Sequence, residues 1–203
     1  MNEMPTKLRA RAIRKSVKRE EKKCQITARA IKALQEVGYA NTSLRDIAAQ
    51  SDMSLGILNY YFEDRSDLII YCVLIYKHEF VDSMTAALDG ATGRNAVIEA
   101  LSGAFAVSIA KDVMTHRLWY DIRNQALFDE TFRLVTTEIE TMLISVFLQA
   151  FVAAGHSKPP MIDVQYALLD GVFRLLLQNQ LNGTKHSLAA LKKIFATVLE
   201  LVL

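Results

Sequence analysis

The run GYANTSLRDIAAQSDMSLGILNYYFEDRSDL, residues 38–68, holds two short helical patterns separated by four residues, and its reading decides the fold. Thr42 and Ser43 are types whose side chains accept from free N–H groups at a helix start. Asp46, three residues after Ser43, suits the positive end of a helix dipole. Leu44, Ile47 and Ala48 form the buried stripe of this first helix. Ser51-Asp52-Met53-Ser54 then interrupts the pattern, and Ser54 caps a second helix running through Asn59 to Phe62. Glu63-Asp64-Arg65-Ser66-Asp67 breaks the pattern again before a long apolar segment from Leu68. Upstream, Ile26, Ala30, Leu34 and Val37 recur at helical spacing, and Gly38 can take the positive φ that stops a helix. Residues 20–65 therefore read as three helices, the last two short and joined by a tight turn.

The rest of the 203 residues keeps the helical period. Helices are expected at 66–88, 94–111, 114–123, 128–154, 161–182 and 187–202. Asp89 to Gly93, the Asp112 region, Gln125 to Asp129, Gly155 to Pro160, and Asn182 to Thr184 separate them. Pro159 and Pro160 cannot donate backbone hydrogen bonds and forbid a continuous helix there. Nine helices without an alternating strand pattern make an all-α protein. An apolar fraction of 51% beside 23% charge excludes a disordered chain, because the apolar surface suffices to offset ordering entropy. Only 8 Gly and 3 Pro argue against collagen-like, Pro-rich and all-β classes, the last of which needs frequent turns.

A net charge of +2 hides an asymmetry. Residues 1–65 carry 13 Lys/Arg against 8 Asp/Glu, while residues 66–203 carry 11 against 14. A basic N-terminal third on a mildly acidic body implies different partners for the two parts. Cys24 and Cys72 lie far apart in no paired framework, so neither a disulfide scaffold nor a zinc site is indicated. No apolar run follows the N-terminal positive charges, and Thr141 to Gly155, the richest uncharged stretch, is too short to span a bilayer. The expectation is a soluble cytoplasmic protein with reduced thiols and no membrane partner.

Two short helices joined by a tight turn and flanked by basic residues form a helix-turn-helix, whose second helix fits a DNA major groove. Residues 38–49 and 53–68 resemble the DNA-binding region of TetR-family transcriptional regulators, whose loose pattern is G-x-x-x-T-[ST]-x-x-x-I-A, then V-S-x-G-x-[IL]-Y-x-[YH]-F-x-[DN]-[KR]-x-x-L. The motif covers roughly residues 24–70, and Ser54 to Ile69 looks nearest to the choline-responsive, BetI-type branch. Two positions depart from the pattern. Asp52 stands where the turn usually has Gly, and Asp tolerates the left-handed region better than most residues. Asn59 stands where the recognition helix usually has Tyr, and Asn can pair with adenine N6/N7, so the operator preferences of the family do not carry over.

The resemblance implies a sequence-specific regulator, most often a repressor released from a palindromic operator by a small molecule, without a cofactor and without enzymatic activity. Residues 1–19 form a basic arm, residues 20–65 the DNA-binding domain, and residues 66–203 an effector-binding and dimerisation domain. Ser54, Leu55, Gly56, Ile57, Asn59 and Tyr60 would face the groove, while Leu58, Tyr61 and Phe62 anchor the helix. Gly56 either admits a close approach by DNA or relieves crowding inside the domain. Leu55 is also spaced for burial. Arg45 either reaches bases or phosphate or stays in solvent beside Asp46. Thr42, Ser43 and Tyr61 fit phosphate contacts or plain capping and packing equally well. Arg65 matches a basic position of the family that touches the DNA backbone. The arm, Lys7 to Arg19, either enters a minor groove unstructured or remains a solvated tail.

For the body, the resemblance implies a dimer through the last two helices. Tyr166, Leu169, Phe173 and Leu177 form one candidate interface stripe, and Leu191, Phe195 and Val198 another; the alternative is intramolecular core. Phe105, Met114, Trp119, Tyr120, Phe128, Met142 and Phe173, with Asn124 for a polar group, are candidates for the effector pocket or for ordinary core. Trp119 and Tyr120 suit a quaternary ammonium by cation–π attraction. Four scattered histidines and no nucleophile or phosphate-loop motif speak against an enzyme or metal site. The competing class is a helical adaptor whose basic segment binds an acidic partner or a membrane surface.

Overall fold

The computed structural model describes residues 6–37, 42–156 and 161–203, and among these every regular element is a helix. They are α1 (Thr6–Val37), α2 (Leu44–Gln50), α3 (Leu55–Tyr61), α4 (Arg65–Leu88), α5 (Arg94–Lys111), α6 (Val113–Gln125), a 3-10 turn (Glu130–Phe132), α7 (Arg133–Ala153), α8 (Ile162–Leu181) and α9 (Leu188–Val202). The expected helices recur within a few residues, except that residues 128–132 stay outside α7 in a turn capped by Asp129. Gly38, Pro159 and Pro160, expected to stop helices, lie outside the described residues, as do residues 1–5 of the arm. Residues 6–19 of that arm are not unstructured: they continue α1.

The chain divides into two units, residues 1–75 and 76–203. The division falls inside α4, ten residues beyond the boundary expected from the motif. The reason is burial: Leu68, Ile69, Cys72 and Val73 of the first turns of α4 complete the core of unit 1 with Ile26, Ala30, Leu34, Ile47, Leu58 and Phe62. Tyr71 donates to Glu20 of α1 at 3.0 Å, and the Lys23 ammonium lies 4.1 Å from its ring centroid.

In unit 2, α5 packs most extensively on α9, with α8 beside both. Phe105, Phe173 and Phe195 meet there with ring centroids 5.3–6.1 Å apart. This corrects the dimer assignment. Leu169, Phe173, Leu177, Leu191 and Phe195 are buried in the core of their own unit, while Tyr166 and Val198 are half-buried. The outward face of α8 instead exposes Val164, Leu168 (56%) and Leu175, with Gly171 among them. An apolar stripe at helical spacing cannot say which of two faces meets its own core.

α7 with its preceding turn, residues 130–153, is long and apolar enough to cross a membrane by length and composition. Its Val135, Ile139, Val146, Phe147 and Ala150 are nonetheless buried within unit 2, and Glu138 and Glu140 interrupt it.

Candidate nucleic-acid interface and ligand cavity

The start of α2 is fixed by a reciprocal pair. Ser43 Oγ accepts from the Asp46 N–H at 3.2 Å, and Asp46 Oδ2 accepts from the Ser43 N–H at 2.8 Å. The hydrogen bonds from Ser43 hold the Asp46 carboxyl below its ordinary range. α2 ends in a turn where Asp52 takes φ 52°, as its tolerance of the left-handed region allows. The Met53 N–H closes on the Ala48 carbonyl at 2.9 Å, so the turn satisfies the end of α2. Ser54 then caps α3, accepting from the Ile57 N–H at 3.3 Å.

α3 buries Leu58, and Phe62 just beyond it is buried as well. Its outward face carries Gly56, Ile57, Asn59 and Tyr60, the last 69% exposed, while Leu55 and Tyr61 are half-buried. A Cβ built on Gly56 meets only Ser54 Oγ, at 4.0 Å. Crowding within the domain is therefore not the reason for this glycine. Arg45 is exposed on α2. Two expected contacts change. Thr42 is 1% exposed, so its side chain is closed to a phosphate. Arg65 is half-buried and donates from Nη1 to the Thr42 carbonyl at 2.9 Å, tying the start of α4 to the segment before α2. Motif spacing did not signal Lys22, Gln25 and Arg29, which line a shallow hollow with Ser54 and Ile57 at the start of α3. The seven-residue interval between Lys22 and Arg29, two helical turns, was the available clue.

Unit 2 holds a cavity of about 50 Å³ that opens to solvent at its mouth. It is lined by Lys77, Phe80 and Met84 of α4, Leu101 and Phe105 of α5, Trp119 and Tyr120 of α6, Leu143, Val146 and Phe147 of α7, and Tyr166, Leu169, Asp170 and Phe173 of α8. Asp170 accepts from Arg123 Nη1 at 2.5 Å and from the Tyr120 hydroxyl at 2.8 Å, and Arg123 Nε also reaches Glu140 at 2.6 Å. Lys77 is 3% exposed. Its ammonium lies 4.8 Å from the ring centroids of both Phe80 and Trp119, and among the described residues no carboxylate comes within ion-pairing distance. Burial pushes its pKa down to about 7. The Tyr166 hydroxyl is buried and has no hydrogen-bond partner among the described residues. Next to Lys77, His116 is fully buried between the Tyr76 hydroxyl, 2.6 Å from Nδ1, and Ser108 Oγ, 2.8 Å from Nε2; burial holds its pKa well below the ordinary value.

Residues 26–72 match the family model for bacterial regulatory proteins of the tetR family. The match covers the N-terminal domain alone, which is therefore similar to the DNA-binding domain of that family. No curated protein matches the sequence. Similar solved structures include the fatty acid degradation regulator FadR of Bacillus halodurans, at 19% identity over 88% of this chain and 94% of that one, with a TM-score of 0.69. FadR of Bacillus subtilis in complex with stearoyl-CoA matches at 19% identity over 88% and 96%, with a TM-score of 0.64. A TetR-like regulator from Rhodococcus sp. RHA1 matches at 18% over 89% and 93%, with a TM-score of 0.68. The chain thus shares its fold with these solved structures. The family match does not resolve the BetI-type branch, and it gives no support to the adaptor reading.

Of the expected pocket residues, Phe105, Trp119, Tyr120 and Phe173 line the cavity. Met114, Asn124, Phe128 and Met142 do not. Phe128 is 85% exposed in the turn after α6, Asn124 lies on the outer face of α6, and Met142 sits one helical step off the inward Leu143, Val146 and Phe147. Tyr166 and Leu169, expected at the interface, line the cavity instead. The two rings expected to face a quaternary ammonium each lie beside a cation of the chain itself, Trp119 beside Lys77 and Tyr120 beside Arg174, whose guanidinium is 5.8 Å from the Tyr120 ring centroid. Lys77 was missed because a lysine within an apolar helix reads as a surface residue until its neighbours are known.

Proposed function

We propose that the chain is a homodimeric repressor that reads a palindromic operator with α3 and releases it when a small molecule enters the cavity of unit 2. The observation that carries the reading is the outward face of α3. Gly56, Ile57, Asn59 and Tyr60 are presented on a helix whose ends are capped and whose Leu58 is buried, so a rigid element offers uncharged side chains to a partner. Asn59 suits adenine, Ile57 a thymine methyl, and Gly56 lets the helix backbone come close to the groove. Arg45, Ser43, Lys22 and Arg29 supply the register on phosphate. The family match over residues 26–72 supports the same assignment.

The dimer forms through the outward face of α8, where Val164, Leu168 and Leu175 are exposed and a Cβ on Gly171 meets nothing within 4 Å, so a partner helix can approach. A palindromic operator calls for two copies of α3 about 34–36 Å apart, which a two-fold dimer can supply. Leu168→Glu should weaken the dimer at least a hundredfold, about 2.7 kcal/mol, because it desolvates a charge in an apolar contact; sedimentation of the variant as a dimer at micromolar concentration would discard this face. The cavity and the stearoyl-CoA bound by FadR of Bacillus subtilis support a ligand-responsive regulator, and a ligand acts only through its differential affinity for the two states. The protein works in the cytoplasm, where its operator is, and has no catalytic role. An electrophoretic shift tests the whole reading: the protein should retain its own upstream intergenic DNA over random duplex at moderate salt. Equal retention of both removes the operator function.

A further inference from the structure

The cavity of unit 2 is mostly apolar, and two of its polar groups are left unmet among the described residues. Lys77 is buried with no carboxylate within ion-pairing distance among the described residues, and the Tyr166 hydroxyl is buried without a partner among them. Asp170, the remaining polar wall, is occupied by Arg123 and Tyr120, and Glu140 holds Arg123 from its other side. Three aromatic faces compensate the Lys77 ammonium partly, but a cation–π contact is worth only about 1–2 kcal/mol against a far larger desolvation cost. An unmet cation and an unmet hydroxyl lining one cavity both call for an acceptor, and an anionic one would suit each of them.

We propose that the effector is an amphiphile with an apolar body and one carboxylate, which accepts hydrogen bonds from Lys77 Nζ and the Tyr166 hydroxyl. This rests on the reading of the cavity as the effector site and adds the chemical class of its ligand. A phosphate monoester would bring nearly two negative charges to one unpaired cation. An alkylammonium would meet an aromatic face already taken by Lys77. A neutral alcohol could satisfy Tyr166 but would leave the amine unpaired. Lys77 is poised for such a ligand, because burial brings its pKa down to about 7 and a carboxylate would draw it back to the ammonium form. The other groups around it do not change charge in that range. His116 on α6 is held neutral, Arg123 stays cationic against Asp170 and Glu140, and burial pushes the phenols of Tyr76, Tyr120 and Tyr166 up.

Decanoate, decanol and decyltrimethylammonium share one alkyl chain and differ in head charge. Each is titrated into the full-length protein, with affinity from calorimetry and site occupancy from the emission of Trp119, the only tryptophan in the chain. Decanoate should bind about tenfold or more tighter than the other two at pH 6.5. That advantage should fall as pH rises to 8.5, where decanoate is still ionised but Lys77 is not. Lys77→Met should erase the advantage and the pH dependence while retaining decanol, and Tyr166→Phe should lower decanoate affinity severalfold. Equal binding of decanoate and decanol, tighter binding of the cation, or a preference that survives Lys77→Met overturns the proposal. So does the absence of any effect of the three on Trp119. If Lys77→Met does not fold, as read by circular dichroism, the pH profile of the natural protein and Tyr166→Phe decide. The shift of upstream DNA by unliganded protein is scored separately. A protein that shifts that DNA yet ignores head charge keeps its regulatory function and loses this ligand class; one that prefers decanoate but not its DNA does the reverse.

Discussion

The α2–α3 region and the cavity of unit 2 treat their polar atoms in opposite ways. Around α2 and α3, Ser43 and Asp46 satisfy each other, Ser54 accepts from Ile57, and the Met53 N–H closes on Ala48. What remains for a partner is the outward set Gly56, Ile57, Asn59 and Tyr60, in contact with water. In the cavity, Lys77 and the Tyr166 hydroxyl are shut away from water and left unmet among the described residues. The first region holds its shape without its partner, so binding costs it little reorganisation. The second carries a standing penalty that an entering ligand removes, and this is where differential affinity for two states can arise.

The sharpest way to break this contrast is Lys77→Met. The Lys77 pKa is lowered on folding, so between about 7 and 10.5 the unfolded chain binds the proton that the folded chain lacks, and stability rises with pH across that window. The penalty is full below pH 7. Lys77→Met should therefore melt higher than the natural protein at pH 6, and its advantage should shrink by on the order of 5 kcal/mol as pH climbs towards 10.5. Denaturant titrations at three pH values check this; a pH-independent difference would mean that Lys77 is not desolvated.

Gly56→Ala probes the other region. It should raise the stability of unit 1 by about 0.5–1 kcal/mol, because a Cβ there meets no obstacle and alanine prefers the helix. Operator affinity should fall about tenfold in the same variant, and unchanged affinity would remove Gly56 from the groove. Ser54→Ala should cost about 1 kcal/mol through loss of the α3 cap, visible as a lower melting temperature. Asp52→Gly should change least, a gain of about 0.5 kcal/mol as strain at φ 52° is relieved, since the turn is already tolerated.

Much of the first region was legible before the structure. Capping residues, the turn at Asp52 and the inward Leu58 and Phe62 depend on neighbours within a few positions, so local chemistry states them. Burial of Thr42 and the tie from Arg65 to its carbonyl were not legible, because they join positions 23 residues apart. In the body, helix positions came out well and helix faces poorly. Leu191 and Phe195 looked like an interface stripe and are core, whereas Val164 and Leu168 face solvent. Phe105, Trp119, Tyr120 and Phe173 meet in one cavity, but nothing in their spacing distinguished them from Phe128 and Met142.

The sequence by itself determined an all-α chain with two short capped helices joined by a tight turn, and the side chains that the second of them presents. These follow from period, caps and turn residues, which act over one or two helical turns. Only the tertiary structure decided that Lys77 is buried with no carboxylate in ion-pairing distance among the described residues, that Asp170 is already taken by Arg123 and Tyr120, and which face of α8 is exposed. Five helices distant in the chain supply that cavity, and whether a charge is met or unmet depends on all of them together.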